Sequence, residues 1–386
     1  MAASPVFALI DFARVSLVRR SRRRTLLTIL AIASATVVFS AVMAVPYVIN
    51  NIISAADASP RLVVINHNGM LYGLPESYYQ KVANLRGVVA VNRMTWFGGV
   101  YDDPKHLFPT MSIDDNVDVV WPDYGLDSDA LRAFRAERRA ALVGIATMQR
   151  FNWHVGQLVQ LRSQVYPVTL TFHIVGSFDT GPDLTAFMLR RDYLEEALHN
   201  PGRSDMLWIR VSDSAEQPRL AATIDAMFHN SSAETETDTE KVFMSNFLER
   251  FRTIVLLVEG IGLCAVVAIA LAVLNAAALG LRERRGEIAV MKSLGFTGSQ
   301  ILAAIAFEGA IIALGGGILG TLIARVGLGL MRGMAPSLGP LLSFGLPGAV
   351  AAEGLAAALA IGLGAALLPA LAPLRIPVVD SLRAIN

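Results

Sequence analysis

Four long apolar runs constrain this sequence more than any other feature. They lie at Thr25–Ile49, Thr253–Leu281, Ile301–Ala324 and Leu346–Leu374, and none contains more than one charged residue. The third run can continue past Arg325 to Met331. Because about 20 apolar residues in a helix cross a hydrocarbon core about 30 Å thick, each run is long enough to span a membrane. The sequence therefore predicts four transmembrane helices, at 25–49, 253–281, 301–331 and 346–374.

The composition excludes a wholly soluble protein. Hydrophobic residues make up 54% of the chain and charged residues 17%, with a mean hydropathy of +0.49. Soluble domains contain roughly 45–50% and about 25%, respectively. The first run is longer than the roughly 7–15 apolar residues of a cleaved signal peptide, so we interpret it as a retained anchor. The single cysteine, Cys264, excludes an intrachain disulfide.

The distribution of basic residues predicts the orientation of the chain. An amphipathic leader, residues 1–24, carries one acidic residue, Asp11, and six basic residues: Arg14, Arg19, Arg20, Arg22, Arg23 and Arg24. Four more basic residues lie between the second and third runs, whereas the 332–345 connection contains only Arg332. Since basic residues near a span are retained on the cytoplasmic side, we expect the leader, the 282–300 loop and the 375–386 tail to be inside.

Residues 50–250 are then outside the membrane. They contain 25 acidic and 18 basic residues, a net charge of −7, whereas the rest of the chain carries +8. Periodicity predicts strands at 61–66, 87–94, 157–163, 169–178, 186–190 and 206–212, and helices at 75–85, 130–140, 191–199 and 217–228. These mixed elements lack a regular βαβ order, which indicates an α+β domain. The polar segment 231–240 is interpreted as a solvated loop.

No catalytic or metal-binding motif is found. The six histidines have no HExxH or other metal spacing, and no GxSxG motif occurs. The chain also lacks GxxxxGK[ST], so we expect no ATP-binding site and no cofactor of its own. Nucleic acid is not expected among its partners. An enzyme within the membrane or in the outer domain is a third interpretation that no motif supports.

The segment between the second and third runs carries the most specific pattern, LGLRERRGEIAVMKSLGFTGSQIL at 279–302. Ile288, Met291 and Leu294 recur at helical spacing and form an apolar ridge. Gly295 is placed to end this helix in a left-handed conformation, and Thr297 or Ser299 can cap the next one. A short amphipathic helix here either lies at the lipid surface or docks on a cytoplasmic partner, and periodicity favours neither.

These residues resemble the MacB/FtsX-type permeases of ABC transporters. The family pattern ER..EI...KxLG.T is matched by Glu283, Arg284, Glu287, Ile288, Lys292, Leu294, Gly295 and Thr297. The segments FEGAIIALGGGILG (307–320) and PALAPLRIPVVDSLR (369–383) are also similar to the family. LPESYYQKVANLRGVVAV (74–91) and ALVGIATMQRFNWHVGQLVQL (141–161) resemble the MacB-like periplasmic domain. Gly286 departs from the basic or polar residue that is common there.

The resemblance implies a four-span permease of the bacterial inner membrane with an α+β periplasmic domain. Two copies would pair, and two separate ATPase subunits, which bind ATP and Mg²⁺, would dock around residues 283–295. Their motion would reach the periplasmic domain and drive export, with a membrane-fusion adaptor as a further partner. The alternatives are lipoprotein release and a signalling scaffold that activates a periplasmic enzyme such as a cell-wall hydrolase.

Isolated polar and small residues within the spans are further candidates. Glu259, Glu308 and Glu353 each lie alone in a span, with Arg325 as the available basic partner inside a span. They either form a proton pathway or lie close enough to the span ends for water to reach them. Gly316 and Gly320 have the GxxxG spacing that permits close helix packing.

Overall fold

A computed structural model describes residues 22–57, 59–70, 72–103, 108–181, 183–250, 252–334 and 345–374. Residues 1–21 of the predicted leader, 335–344 of the predicted loop and the predicted tail 375–386 lie outside the described residues. The chain divides into two units. One contains the described residues 22–47, 253–329 and 345–374, and the other contains residues 48–252, with the gaps given above, and residues 330–334.

Twelve helices of the described residues are numbered here in chain order. They are α1 (Arg22–Asp57), α2 (Glu76–Ala83), α3 (Val117–Val120), α4 (Ser128–Ala136), α5 (Ile145–Phe151), α6 (Arg191–Ala197), α7 (Gln217–Phe228), α8 (Glu240–Glu249), α9 (Arg252–Glu283), α10 (Arg285–Ser293), α11 (Gly298–Met334) and α12 (Gly348–Leu374). Short 3₁₀ turns lie at Pro122–Tyr124 and Ser214–Glu216.

Four of these helices are long and apolar enough to cross a membrane. Their apolar spans are Thr25–Ser54, Arg252–Glu283, Gly298–Leu330 and Gly348–Leu371. The fold predicted from the sequence, four spans with an α+β domain between the first and the second, is therefore confirmed. At about 1.5 Å per residue, the 36-residue α1 is about 54 Å long, well beyond the 30 Å of a hydrocarbon core.

The α+β domain is built on one long mixed sheet. Its strands are β1 (Arg61–Asn66), β3 (Val88–Trp96), β4 (Gly99–Val100), β5 (Thr110–Ile113), β6 (Ala140–Gly144), β7 (Leu158–Ser163), β8 (Thr169–Phe178), β9 (Phe187–Arg190), β11 (Met206–Val211) and β12 (Thr235–Thr239), and β2 (Leu74–Pro75) pairs with β10 (Arg203–Ser204) in a separate ribbon. The strand order is β12-β1-β11-β3-β5-β9-β6-β8-β7-β4, with β5–β9 and β6–β8 parallel and the remaining pairs antiparallel.

Apolar clusters cover both faces of this sheet. Helices α2 and α7 pack on the β1–β11–β3 region, where Tyr78 stacks on Phe228 with ring centroids 3.7 Å apart. A second cluster joins α4, Trp121, Trp208 and the start of α8. A third, rich in aromatic rings, lies at the β6–β8–β7 end. Strand β8 alternates buried and partly exposed residues over its whole length, which is why sequence periodicity locates it at 169–178.

The polar segment 231–240 is not a solvated loop, and this prediction is wrong. Its second half is strand β12, which pairs with β1 so that Thr237 faces Val64. As an edge strand it can carry acidic side chains while its backbone completes the ladder of the buried β1. The strands β5 and β6 are also not predicted from the sequence: β5 has only four residues, and β6 is buried throughout and does not alternate.

Candidate coupling site

The segment between α9 and α11 folds as the sequence pattern indicates. Helix α9 ends at Glu283, Arg284 makes the break, and α10 runs over Arg285–Ser293. Gly295 has φ +91°, a conformation that favours glycine after a helix. Thr297 and Gln300 then form a reciprocal capping box: Thr297 Oγ1 accepts from the Gln300 N–H, and Gln300 Oε1 accepts from the Thr297 N–H at 2.9 Å.

The three residues of the apolar ridge predicted on α10 differ in how deeply they are buried. Ile288 is only 5% exposed and packs in a cluster whose other buried members are Leu281, Ile301, Ile305 and Ala370. Met291 is half-buried against the same cluster, whereas Leu294 is 72% exposed. The predicted ridge is therefore not one exposed surface, because Ile288 packs inward and Leu294 faces outward. The outward apolar residues are Val290, Leu294 and Phe296.

An ion pair connects this segment to α11. Arg284 Nη1 lies 2.8 Å from Glu308 Oε2, and Arg284 Nε lies 3.9 Å from Glu287 Oε2. The sequence offers only Arg325 as a basic partner inside a span, and Arg284 does not stand out because it lies between two helices. Glu308 of α11 is therefore paired with Arg284, which lies directly before α10.

The two other intramembrane carboxylates do not join Glu308. Glu259 is half-buried on α9, and Glu353 is exposed on α12. A cavity of about 420 Å³ beside the ion pair is lined by Glu283, Arg284, Glu287 and Glu308 but not by these two residues. A proton pathway would need a series of neighbouring carboxylates across the spans, and the described residues do not provide one.

Glycines set the distance between α1 and α11. A Cβ added at Gly316 would lie 2.8 Å from the Cβ of Ile32, and one at Gly320 would lie 2.5 Å from the carbonyl oxygen of Ala33. Gly354 of α12 meets the hydroxyl of Ser40 in the same way, at 2.8 Å. The glycines assigned to helix packing thus lie at a crossing where only a hydrogen atom fits.

A second polar cluster ties together the two chain segments that enter and leave the α+β domain. Arg61 at the start of β1 and Glu240 at the start of α8 have side chains only 5% and 4% exposed, and Arg61 Nε donates to Glu240 Oε2 at 2.6 Å. Arg61 Nη1 also donates to Asp123 Oδ2 at 2.6 Å and to the Val120 carbonyl at 3.3 Å.

Burial alone would lower the pKa of Arg61, but the hydrogen bonds and negative charges of Glu240 and Asp123 outweigh it and raise the pKa. The guanidinium is therefore charged, and its Nε and Nη1 atoms both donate hydrogen bonds. Nearby, Lys241 Nζ lies 2.9 Å from Asp57 Oδ1, so the last turn of α1 is paired with the first turn of α8. We call this cluster of Asp57, Arg61, Glu240 and Lys241 the junction.

No sequence pattern predicts the junction. Its only sequence signal is an arginine at the start of a β-rich stretch, and Arg61 and Glu240 are 179 positions apart. No local spacing connects them.

Comparison with known proteins identifies the family. Residues 25–227 match the model of the MacB-like periplasmic core domain, which covers more than half of the chain, and residues 260–378 match the FtsX-like permease C-terminal domain. The chain belongs to the MacB/FtsX-type family of ABC transporter permeases. The resemblance seen in its motifs is thus confirmed.

A curated relative extends over most of this permease. It is an uncharacterised ABC transporter permease of Methanocaldococcus jannaschii, 20% identical over 344 residues, which cover 84% of this chain and 85% of that protein.

Two solved structures are also similar. The extracellular domain of the noncanonic ABC-type transporter YknZ from Gram-positive bacteria covers 46% of this chain and 99% of its own, with 10% identity and a TM-score of 0.36. The periplasmic region of MacB from Actinobacillus actinomycetemcomitans covers 49% and 92%, with 12% identity and a TM-score of 0.36.

Proposed function

We propose that this permease transmits the motion of a separate ATPase subunit to its α+β domain, and that this motion drives export from the outer side of the membrane. The observation that carries the proposal is the junction. Helix α1 is continuous from the apolar span Thr25–Ser54 to Asp57, and Asp57 is paired with Lys241 beside the buried Arg61–Glu240 pair. A displacement of α1 along its axis would reach α8 through the Asp57–Lys241 pair, and the Arg61–Glu240 pair ties α8 to β1.

The ATPase would dock on the outward face of α10. Val290 and Leu294 lie four residues apart on one side of the helix, Phe296 follows them, and all three are exposed. On the opposite side, Ile288 anchors α10 to the neighbouring helices. Force applied to the outward face is then passed to α11 through Ile301 and Ile305 and through the Arg284–Glu308 ion pair.

Association with the ATPase tests this assignment. Interface energy concentrates in a few apolar anchors, and replacing one costs about 2 kcal/mol or more, which is about a thirtyfold loss of affinity. We expect Leu294→Asp to lose the ATPase in a pull-down from detergent, while Ser293→Asp, which adds the same charge at the next exposed position, retains it. Lys292→Ala should have a small effect, since exposed ion pairs contribute about 0–1 kcal/mol. Normal ATPase binding by Leu294→Asp would show that α10 lies at the lipid surface.

Coupling is tested separately from docking. The Lys241→Ala and Asp57→Ala variants should bind the ATPase normally, because both residues lie far along the chain from α10. We expect them to reduce transport per ATP hydrolysed in reconstituted vesicles. Unchanged transport with both variants would contradict a mechanical role for the junction.

The proposed assembly contains two permeases and two ATPase subunits, with both termini in the cytoplasm and the α+β domain in the periplasm. Cysteine placed at the exposed Ser232, in a Cys264→Ala background, should react with an impermeant maleimide in intact spheroplasts. Cysteine at the exposed Ser293 should react only after permeabilisation. The reverse labelling pattern would refute the orientation.

Partners that copurify with the permease distinguish export from its alternatives. A membrane-fusion protein on the α+β domain would support export. A peptidoglycan hydrolase or a lipoprotein in its place would contradict export while leaving the coupling mechanism intact.

A further inference from the structure

The α+β domain contains a small cavity, lined partly by charged residues, that the coupling mechanism does not use. Its volume is about 200 Å³, and it is lined by residues of β3, β5, α6 and β10, by Asp205 and by neighbouring loops. An apolar cavity of about 150 Å³ holds one benzene molecule, so this one has room for a ligand of about six to ten heavy atoms. The cavity is therefore the size of a small metabolite.

Two opposite charges line this cavity. Asp205 is 8% exposed, and its Oδ2 accepts a hydrogen bond from the backbone N–H of Trp96 at 2.8 Å. Arg203, two residues earlier, contributes an exposed side chain to the same wall. Within the part of the chain that the structure describes, neither residue forms an ion pair within 4.0 Å. The cavity is thus lined by one carboxylate and one guanidinium that are not in direct contact with each other.

The carboxylate of Asp205 is poorly solvated. Burial raises its pKa, and the hydrogen bond from Trp96 and the positive charges of Arg203 and Arg191 oppose this effect only in part. Burial also raises the pKa of Tyr166, and the charge of Asp205 adds to that shift, so the phenol lies near the carboxylate. A positively charged donor in the cavity would replace the solvation that Asp205 has lost.

The other acidic group of the wall is already neutralised. Glu195 accepts a hydrogen bond from the buried Arg191, which also donates to the Glu76 carboxylate at 3.2 Å and to the Arg203 carbonyl at 3.2 Å. The hydroxyls of Thr95 and Ser112 complete the wall, and Ser112 Oγ donates to the Thr95 carbonyl at 3.3 Å. The unbalanced charges are therefore those of Asp205 and Arg203.

We propose that this cavity binds a small zwitterion, an α-amino acid with a short side chain. Its ammonium group donates to the Asp205 carboxylate, and its carboxylate accepts from the Arg203 guanidinium. Charge-assisted hydrogen bonds of this kind are about twice as strong as neutral ones. A ligand with both charges can pair with Asp205 and with Arg203 at the same time. A simple amine or a simple acid would satisfy only one.

Calorimetric titration of the purified full chain with L-alanine tests the proposal, with propylamine and propionate as singly charged analogues. We expect L-alanine to bind more tightly than either analogue. Asp205→Asn and Arg203→Gln should each weaken L-alanine binding by about tenfold or more, because each removes one charge-assisted bond. The matched control is Asp213→Asn, which alters another aspartate that accepts a backbone N–H, from Ala215 at 2.9 Å, and should leave binding unchanged.

Three results would overturn the proposal. They are the absence of L-alanine binding, equal binding of L-alanine and propylamine, and unchanged binding in both variants. Arg203 is exposed, so we expect the Arg203→Gln variant to fold normally. Its binding can therefore be measured even if the Asp205→Asn variant does not fold. The ATPase is absent from these titrations, so their outcome is independent of the coupling mechanism.

Discussion

Removing the acidic partner from the junction should destabilise the α+β domain strongly. The Glu240→Ala variant leaves the guanidinium of Arg61, 5% exposed, without the carboxylate that now lies 2.6 Å from its Nε. Breaking a buried ion pair by deleting one partner costs about 3–5 kcal/mol, because the remaining charge stays desolvated. Asp123 and the Val120 carbonyl still accept from Nη1, which places the expected loss at the lower limit, about 3 kcal/mol.

Tryptophan fluorescence measures this loss in the full chain. The four tryptophans, Trp96, Trp121, Trp153 and Trp208, all belong to the α+β domain, so urea unfolding in detergent followed by their emission reports on that domain alone. Trp208 also contacts Phe243 of α8 at a centroid distance of 5.8 Å, one turn after Glu240. With a slope of about 2 kcal/mol per molar urea, the midpoint should fall by about 1.5 M.

A double variant separates an unpaired charge from a general packing defect. Arg61→Met combined with Glu240→Leu removes both charges and keeps the side-chain volume, so most of the lost stability should return. A fall in the midpoint of less than about 0.5 M for Glu240→Ala would refute the reasoning, since it corresponds to only about 1 kcal/mol. A double variant no more stable than the single one would also refute it, because the loss would then not come from the unpaired Arg61.

Three further predictions concern the packing of α11, the capping of α8 and the Arg284–Glu308 ion pair. Gly320→Ala should destabilise the helical unit by about 1–3 kcal/mol in thermal unfolding, because the new methyl group meets a backbone carbonyl of α1, whereas Gly327→Ala, with open space around it, should not. Thr239→Ala should cost the α+β domain about 1 kcal/mol in the urea assay, since its hydroxyl accepts from the N–H of Val242 at the start of α8. Glu308→Gln should lower ATPase stimulation by the permease while ATPase binding in the pull-down is retained, and equal stimulation would contradict transmission through its partner Arg284.

Local sequence signals predict several parts of the segment between α9 and α11 correctly. Gly295 and Thr297 are placed by the chemistry of helix ends, which depends on residues only three or four positions away. The orientation of α10 is different. Periodicity defines a face containing Ile288 and Leu294, but the neighbouring helices determine which part of that face is buried, and they enclose Ile288 while leaving Leu294 exposed.

The sequence by itself determined the four spans, the α+β domain between the first two and the family. The length of an apolar run, the distribution of basic residues and a short motif each depend on residues that are close together in the sequence. They can therefore be recognised in a single sequence. The strand β12 and the junction were decided only by the tertiary structure. An acidic stretch becomes a strand because β1 offers it a backbone partner, and Arg61 is stable when buried because folding brings Glu240 to it from 179 positions away. Such pairings depend on distances that only the folded chain creates.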